Sequence, residues 1–187
     1  MHVLKEALRR LLIQKSVIRG DFTLASGAKS KYYIDCKQTA LHPDGASLLG
    51  MIFLFMLKKM SVDAVAGVTL GGDPLVTAVS LASRSLEKSL PALIVRKQPK
   101  DHGTSRWIEG LGNVSAGQSV ALLEDVVTSG GSSLDACGKI EEAGLNVAGI
   151  CCIIDRLQGG REKLESAGYQ LHAIFTRDYL LGDIESK

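Results

Sequence analysis

The sequence predicts an α/β domain: a mostly parallel, twisted sheet with helices on both faces, preceded by a helix and a hairpin. Three observations predict it. Short runs that are apolar on both faces alternate with helical segments through the later part of the chain. Two of the intervening helices leave by the same exit, Glu142-Ala143-Gly144 and Ser166-Ala167-Gly168, and glycine just past a helix is its ordinary stop. The 187 residues, 45% apolar and 22% charged, suffice for one domain with a real core.

Taken in order, Leu4, Ala7, Leu8, Leu11 and Leu12 fall at i, i+3, i+4, i+7 and i+8, one face of an amphipathic helix. FTLASGAKSKYYID reads as two short strands around a Ser-Gly turn. His42-Pro43-Asp44 opens a second helix that ends near Lys59. Its most apolar stretch, Leu48 to Leu57, is ten residues long, too short to cross a bilayer, so a buried helix is expected. Residues 1–60 thus form N-terminal helices and a flap, and residues 61–187 the sheet. There, Ala64 to Val68 precedes a Gly-Gly loop and a helix from Pro74 to Glu87. Ala92 to Arg96 runs into a long polar loop, about residues 97–112. Ser119 to Asp125 meets a Gly-rich turn and a helix to Gly144. Val147 to Asp155 precedes a helix from Gly160 to Ala167, and Leu171 to Phe175 closes the series.

Composition excludes some partners. A net charge of +2 offers no basic field for duplex nucleic acid. No targeting segment or membrane span is read, so a cytoplasmic protein is expected. Cys36, Cys137, Cys151 and Cys152 show no Cys-x-x-Cys spacing, and adjacent strand residues such as Cys151 and Cys152 point to opposite faces. They read as small hydrophobes of a reducing compartment.

In open parallel sheets, ligands bind beyond the carboxyl ends of the strands. Four such ends carry chemistry here: Leu70 to Asp73, Arg96 to Gly112, Glu124 to Ser132, and Asp155-Arg156. The third is the most informative. Glu124-Asp125-Val126-Val127-Thr128-Ser129-Gly130-Gly131-Ser132 follows a strand and opens a helix. Gly130 and Gly131 leave backbone N–H groups open to an anion. The helix adds its positive end, and Thr128, Ser129 and Ser132 add hydroxyls. This suits a phosphate monoester. The two acids would repel a bare phosphate, so they call for sugar hydroxyls or a substrate-borne metal; a ribose phosphate meets that demand. The spacing is neither a Walker loop nor a G-x-G-x-x-G fingerprint. The plainer alternative is a helix cap beside solvated acids. Arg96-Lys97-Gln98-Pro99-Lys100-Asp101-His102-Gly103 places three cations and a histidine after another strand. It is either a solvated basic loop or one that closes over pyrophosphate and excludes water.

Two acids, two branched apolar residues and T-S-G-G-S resemble the signature of the type I phosphoribosyltransferases, with Glu124 where Asp is common. R-K-x-x-K-D-H-G resembles the orotate-specific branch of that family. So does F-T-L-x-S-G-x-x-S-x-Y-Y over Phe22 to Tyr33, with Ala25 where many members have Lys. The resemblance implies a type I phosphoribosyltransferase-like fold. It implies transfer of the phosphoribosyl group of 5-phospho-α-D-ribose 1-diphosphate (PRPP) to orotate, a step of pyrimidine (UMP) biosynthesis. It further implies that Glu124 and Asp125 hold the ribose hydroxyls near the reacting carbon. Val126, Val127, Thr128, Ser129, Gly130, Gly131 and Ser132 would hold the 5′-phosphate. Arg96, Lys97, Lys100 and His102 would bind pyrophosphate, with Lys100 the chief catalytic cation and the bare backbone of Gly71 and Gly72 beside them. Arg156 would fork onto the orotate carboxylate, joined by Thr128 and by Tyr32 and Tyr33 of the flap. Mg²⁺ carried by the diphosphate, with no direct protein ligand, and a homodimer sharing the mobile loop are also implied. Two alternatives stay open: a transferase for another nucleobase, and a non-catalytic nucleotide-sensing regulator on the same fold.

Overall fold

The apolar runs become the parallel strands of one sheet because most of their side chains are buried, on both faces over Ala64–Val68 and less completely over Ala92–Val95 and Leu171–Thr176. The computed structural model describes residues 1–23, 29–86, 89–99 and 107–185. The N-terminal part comprises α1 (His2–Lys15), β1 (Val17–Thr23), β2 (Lys29–Ile34), α2 (Lys37–Ala40) and α3 (Pro43–Leu57). The rest comprises β3 (Ala64–Val68), α4 (Asp73–Ser83), β4 (Ala92–Val95), β5 (Ile108–Glu109) and β6 (Ser119–Val127). It continues with α5 (Gly131–Glu142), β7 (Asn146–Asp155), α6 (Gly160–Ser166), β8 (Leu171–Thr176) and α7 (Arg177–Glu185).

The main sheet has the order β5-β4-β3-β6-β7-β8. Every neighbouring pair is parallel except β4 with β5 at one edge. From β3 the chain moves outward to β4 and β5, then returns to lay β6 on the other side of β3. The order therefore reverses between β3 and β6, where a parallel sheet opens a crevice at its carboxyl edge. One face buries Leu8 and Leu12 of α1, Phe53 of α3, Val76 of α4 and Leu181 of α7. The other buries Cys137 and Ile140 of α5 and Leu164 of α6. The hairpin β1–β2 forms a separate two-stranded sheet. It joins the core through partly buried Val17, Tyr32 and Ile34, and through the buried hydroxyl pair Ser16–Thr39 at 2.7 Å.

The expected strands of the main sheet appear with ends moved by two residues or fewer, whereas β1 begins five residues before Phe22, where the hairpin was expected to start. Four further features differ from the sequence reading. The helix after β3 ends at Ser83, and the Ser83 hydroxyl turns back to accept from Leu90 N at 2.8 Å. The polar stretch 97–112 contains β5, a two-residue strand paired with Ile94 and Val95. Two helices were not foreseen, the one-turn α2 and the C-terminal α7. α7 returns to α1, where the Tyr179 hydroxyl donates to Glu6 at 2.9 Å. All four cysteines are free and buried. No described helix is long and apolar enough to cross a membrane.

Candidate active site

The end of β6 carries the acid pair into the crevice beside β3. Glu124 is 5% exposed and accepts a hydrogen bond from the Ser133 hydroxyl at 3.1 Å. Burial, and then the charge of Asp125, push its pKa up to about 7. The two oxygens of Asp125 have separate partners. Oδ1 accepts from Val126 N at 2.8 Å, and Oδ2 lies 3.9 Å from the Lys37 ammonium. The loop after β3 presses against this carboxylate. A Cβ on Gly71 would sit 2.5 Å from Asp125 Cγ, and one on Gly72 would sit 2.5 Å from Val68 N. Both glycines are therefore steric necessities: a side chain at position 71 would displace the acid. In the same loop the Thr69 hydroxyl donates to Asp73 at the head of α4, 2.9 Å to Oδ2.

Beyond the acids, the chain turns into α5. Gly130 adopts φ 72°, a left-handed conformation suited to glycine, and a Cβ there would meet Gly160 O at 3.0 Å. Gly160 in turn packs so tightly that a Cβ would lie 2.5 Å from Thr128 O. The first amides of a helix have no intrahelical acceptor. Among the described residues, none of the N–H groups from Thr128 to Ser132 is engaged by a turn, cap or side-chain acceptor. They remain available to an anion.

At the end of β7, Asp155 is fully buried. Its Oδ1 accepts from Leu157 N at 2.9 Å and its Oδ2 from Arg161 Nε at 3.0 Å. Leu157 is held at φ 55°, a conformation leucine rarely adopts. The adjacent acid is thus committed to Arg161, not to Arg156. Arg156 Nε is buried and has no hydrogen-bond partner among the described residues. A buried guanidinium N–H without an acceptor is costly, so this edge is a candidate binding position.

Two cavities adjoin these ends. One, about 510 Å³, is lined by Lys37, Gly71, Lys97, Glu124, Asp125 and Ser132 among others. The second, about 470 Å³, is lined by Thr69, Asp73, Arg96, Lys97 and Glu109 among others. Lys97 borders both. Arg96 is already partnered, 3.0 Å from Glu109 Oε1 across β4 and β5. Tyr32 and Tyr33 lie on β2 and do not line either cavity; Tyr33 packs on Phe22 with ring centroids 5.7 Å apart. Lys100, His102 and Ala25 lie outside the described residues. The sequence reading missed Ser133, which holds Glu124, and Lys37, which enters the first cavity. Ser133 was legible as the next hydroxyl of the T-S-G-G-S run; nothing near Lys37 distinguished it from the other flap lysines. Among the described residues, no three His, Cys, Asp or Glu side chains gather as a metal cluster. Glu124 and Asp125 are the two carboxylates that line the first cavity.

Comparisons with known proteins agree with this geometry. The phosphoribosyl transferase domain family matches residues 40–170. An orotate phosphoribosyltransferase of Nostoc sp. is 46% identical over 173 residues, 92% of this chain and 83% of that one. The crystal structure of Mycobacterium tuberculosis H37Rv orotate phosphoribosyltransferase in complex with Fe(III) dicitrate matches with a TM-score of 0.83 at 32% identity. It covers 95% of this chain and 98% of that one. The M. tuberculosis enzyme in complex with PRPP matches with a TM-score of 0.78 at 29% identity, over the same shares. With its acid pair, open amides and glycine-lined crevice all at one carboxyl edge, the chain belongs to the orotate phosphoribosyltransferases of the phosphoribosyl transferase domain family.

Proposed function

We propose that this chain transfers the phosphoribosyl group of PRPP to N1 of orotate. The C1–N1 bond forms, the C1–diphosphate bond breaks, and orotidine 5′-phosphate and diphosphate leave. The observation that carries the reading is Arg156, whose buried Nε lacks an acceptor beside the open amides of the phosphate turn. A carboxylate on the base supplies that acceptor, in the planar geometry a guanidinium favours. Adenine and uracil have no such group and would leave it unmet. The PRPP complex of the M. tuberculosis relative supports the donor.

The 5′-phosphate takes the amides from Thr128 to Ser132, and Glu124 and Asp125 take the ribose hydroxyls. Ring hydroxyls bring Glu124 the donors that burial denies it. As diphosphate departs, C1 gains positive charge between the acids and the base. The negative charge of orotate at neutral pH sits on its carboxylate, and the proton on N1 passes to the departing diphosphate as the C1–N1 bond forms. Lys97 faces the leaving diphosphate, joined from the same segment by Arg96, Lys100 and His102. Mg²⁺ entering with the diphosphate would neutralise part of its charge, with Glu124 and Asp125 the carboxylates facing it. The active form is a homodimer sharing the 97–112 loop; Leu70, 70% exposed at the crevice, gives a second subunit apolar surface to cover. Four free thiols support a reducing, cytoplasmic setting.

The test is orotate absorbance in the presence of PRPP and Mg²⁺. Orotate is expected to be consumed, with diphosphate released in equal amount, and adenine and uracil to be inert. Excess chelator should stop the reaction. Failure to consume orotate, or faster turnover of another base, would overturn the assignment.

A further inference from the structure

The cavity over the acid pair is bordered by a cation that the reaction above does not use. Lys37 is the first residue of α2, immediately after the flap hairpin. Its ammonium lies 2.8 Å from Asp35 Oδ1 and 3.9 Å from Asp125 Oδ2. Asp35 is itself a fixed post: its carboxylate also accepts from Lys37 N and from Gln38 Nε2, each at 3.2 Å, and its amide donates to Ser16 O at 2.9 Å. A lysine held by a hydrogen bond at its root partner, and only loosely by the second acid, keeps N–H donors for an incoming oxygen.

Charge makes the point stronger. The charged side chains lining that cavity are Lys37, Lys97, Glu124 and Asp125, two of each sign. Without Lys37 the lining would hold one cation against two carboxylates, a poor host for a donor bearing three phosphoryl groups. Lys97 comes from the segment after β4, whereas Lys37 comes from the flap side and is anchored by Asp35. The hydrogen bond to Asp35 holds the Lys37 ammonium above the ordinary lysine range, so its charge is constant at working pH.

We propose that Lys37 is a further positioning residue for the phosphoribosyl donor: held by Asp35 beside the Asp125 carboxylate, it offers the donor a counter-charge from the N-terminal segment. This rests on the PRPP reading given above. An ion pair that merely tied α2 to β6 would affect stability and both substrates alike; a donor-positioning lysine affects one substrate.

Lys37→Met and Lys37→Arg separate the two roles, by steady-state kinetics and by calorimetric titration with PRPP and Mg²⁺. For Lys37→Met, KM and Kd for PRPP are expected to rise by about tenfold. KM for orotate should stay within about twofold, and the melting temperature should match the parent. Lys37→Arg should recover most of the loss. An unchanged KM for PRPP, or a parallel rise in both KM values with a lowered melting temperature, would overturn the inference. A parent protein that itself fails to bind PRPP would instead overturn the donor reading.

Discussion

Two arginines stand one residue past the ends of parallel strands, and their surroundings are opposite. Arg96 follows β4, and its guanidinium is closed by Glu109 at 3.0 Å and by the Gln98 carbonyl at 3.2 Å. Arg156 follows β7, and its buried Nε is bonded to nothing among the described residues. The same position, one residue past a parallel strand, thus carries partnered guanidinium nitrogens in one case and a buried Nε without a partner in the other. The difference lies in the neighbouring acids. Glu109 is delivered to Arg96 by the antiparallel pairing of β5, whereas Asp155, adjacent to Arg156 in sequence, is drawn away by Arg161 and by the Leu157 amide. The partnered nitrogens of Arg96 already have acceptors; the buried Nε of Arg156 is a donor still without one.

Breaking the unsatisfied side should have the largest effect. Arg156→Ala is expected to raise KM for orotate by roughly 100-fold, the worth of a charge-assisted contact in a buried site. KM for PRPP should change by less than about threefold. Loss of both affinities together would place Arg156 in the scaffold instead of on the base.

The buried acid gives the next effect, read in stability. The folded state keeps a proton on Glu124 up to about pH 7, whereas an ordinary glutamate releases it near 4.5. The native state therefore binds more protons in that window, and this group makes stability fall as pH rises through it. Relative to Glu124→Gln, the parent should lose on the order of 2 kcal/mol between those pH values. Denaturant melts at a series of pH values measure it; parallel curves for parent and variant would show that Glu124 is not held protonated.

The smallest effect sharpens the satisfied side. If Arg96 serves diphosphate, it must first leave Glu109. Glu109→Gln removes that competition and should lower KM for PRPP by about two- to fivefold, the range of a partly exposed ion pair. A raised KM would mean that Glu109 orients Arg96 for the donor instead of sequestering it.

Much of the molecule is legible in the sequence, for reasons these residues make plain. Ala64 to Val68 reads correctly because a strand buried on both faces has no polar interruptions, and the strands that follow read correctly from their apolar runs between helices. The T-S-G-G-S turn was visible because open amides require glycine there. What was hidden depends on contacts distant in sequence. β5 exists only because Ile94 and Val95 accept it as an edge partner. α2 is a single turn with no periodicity to detect. The role of Gly71 could be read as bare backbone, but its contact with Asp125, more than fifty residues later, could not. Likewise the sequence sets Asp155 beside Arg156, and only the fold shows that Arg161 takes the acid.

The most direct test is a crystal structure with orotidine 5′-phosphate. The base carboxylate should accept from Arg156, the ribose hydroxyls should meet Glu124 and Asp125, and the phosphate should sit on the amides from Thr128 to Ser132. A nucleotide bound elsewhere, or one whose carboxylate points away from Arg156, would contradict the account.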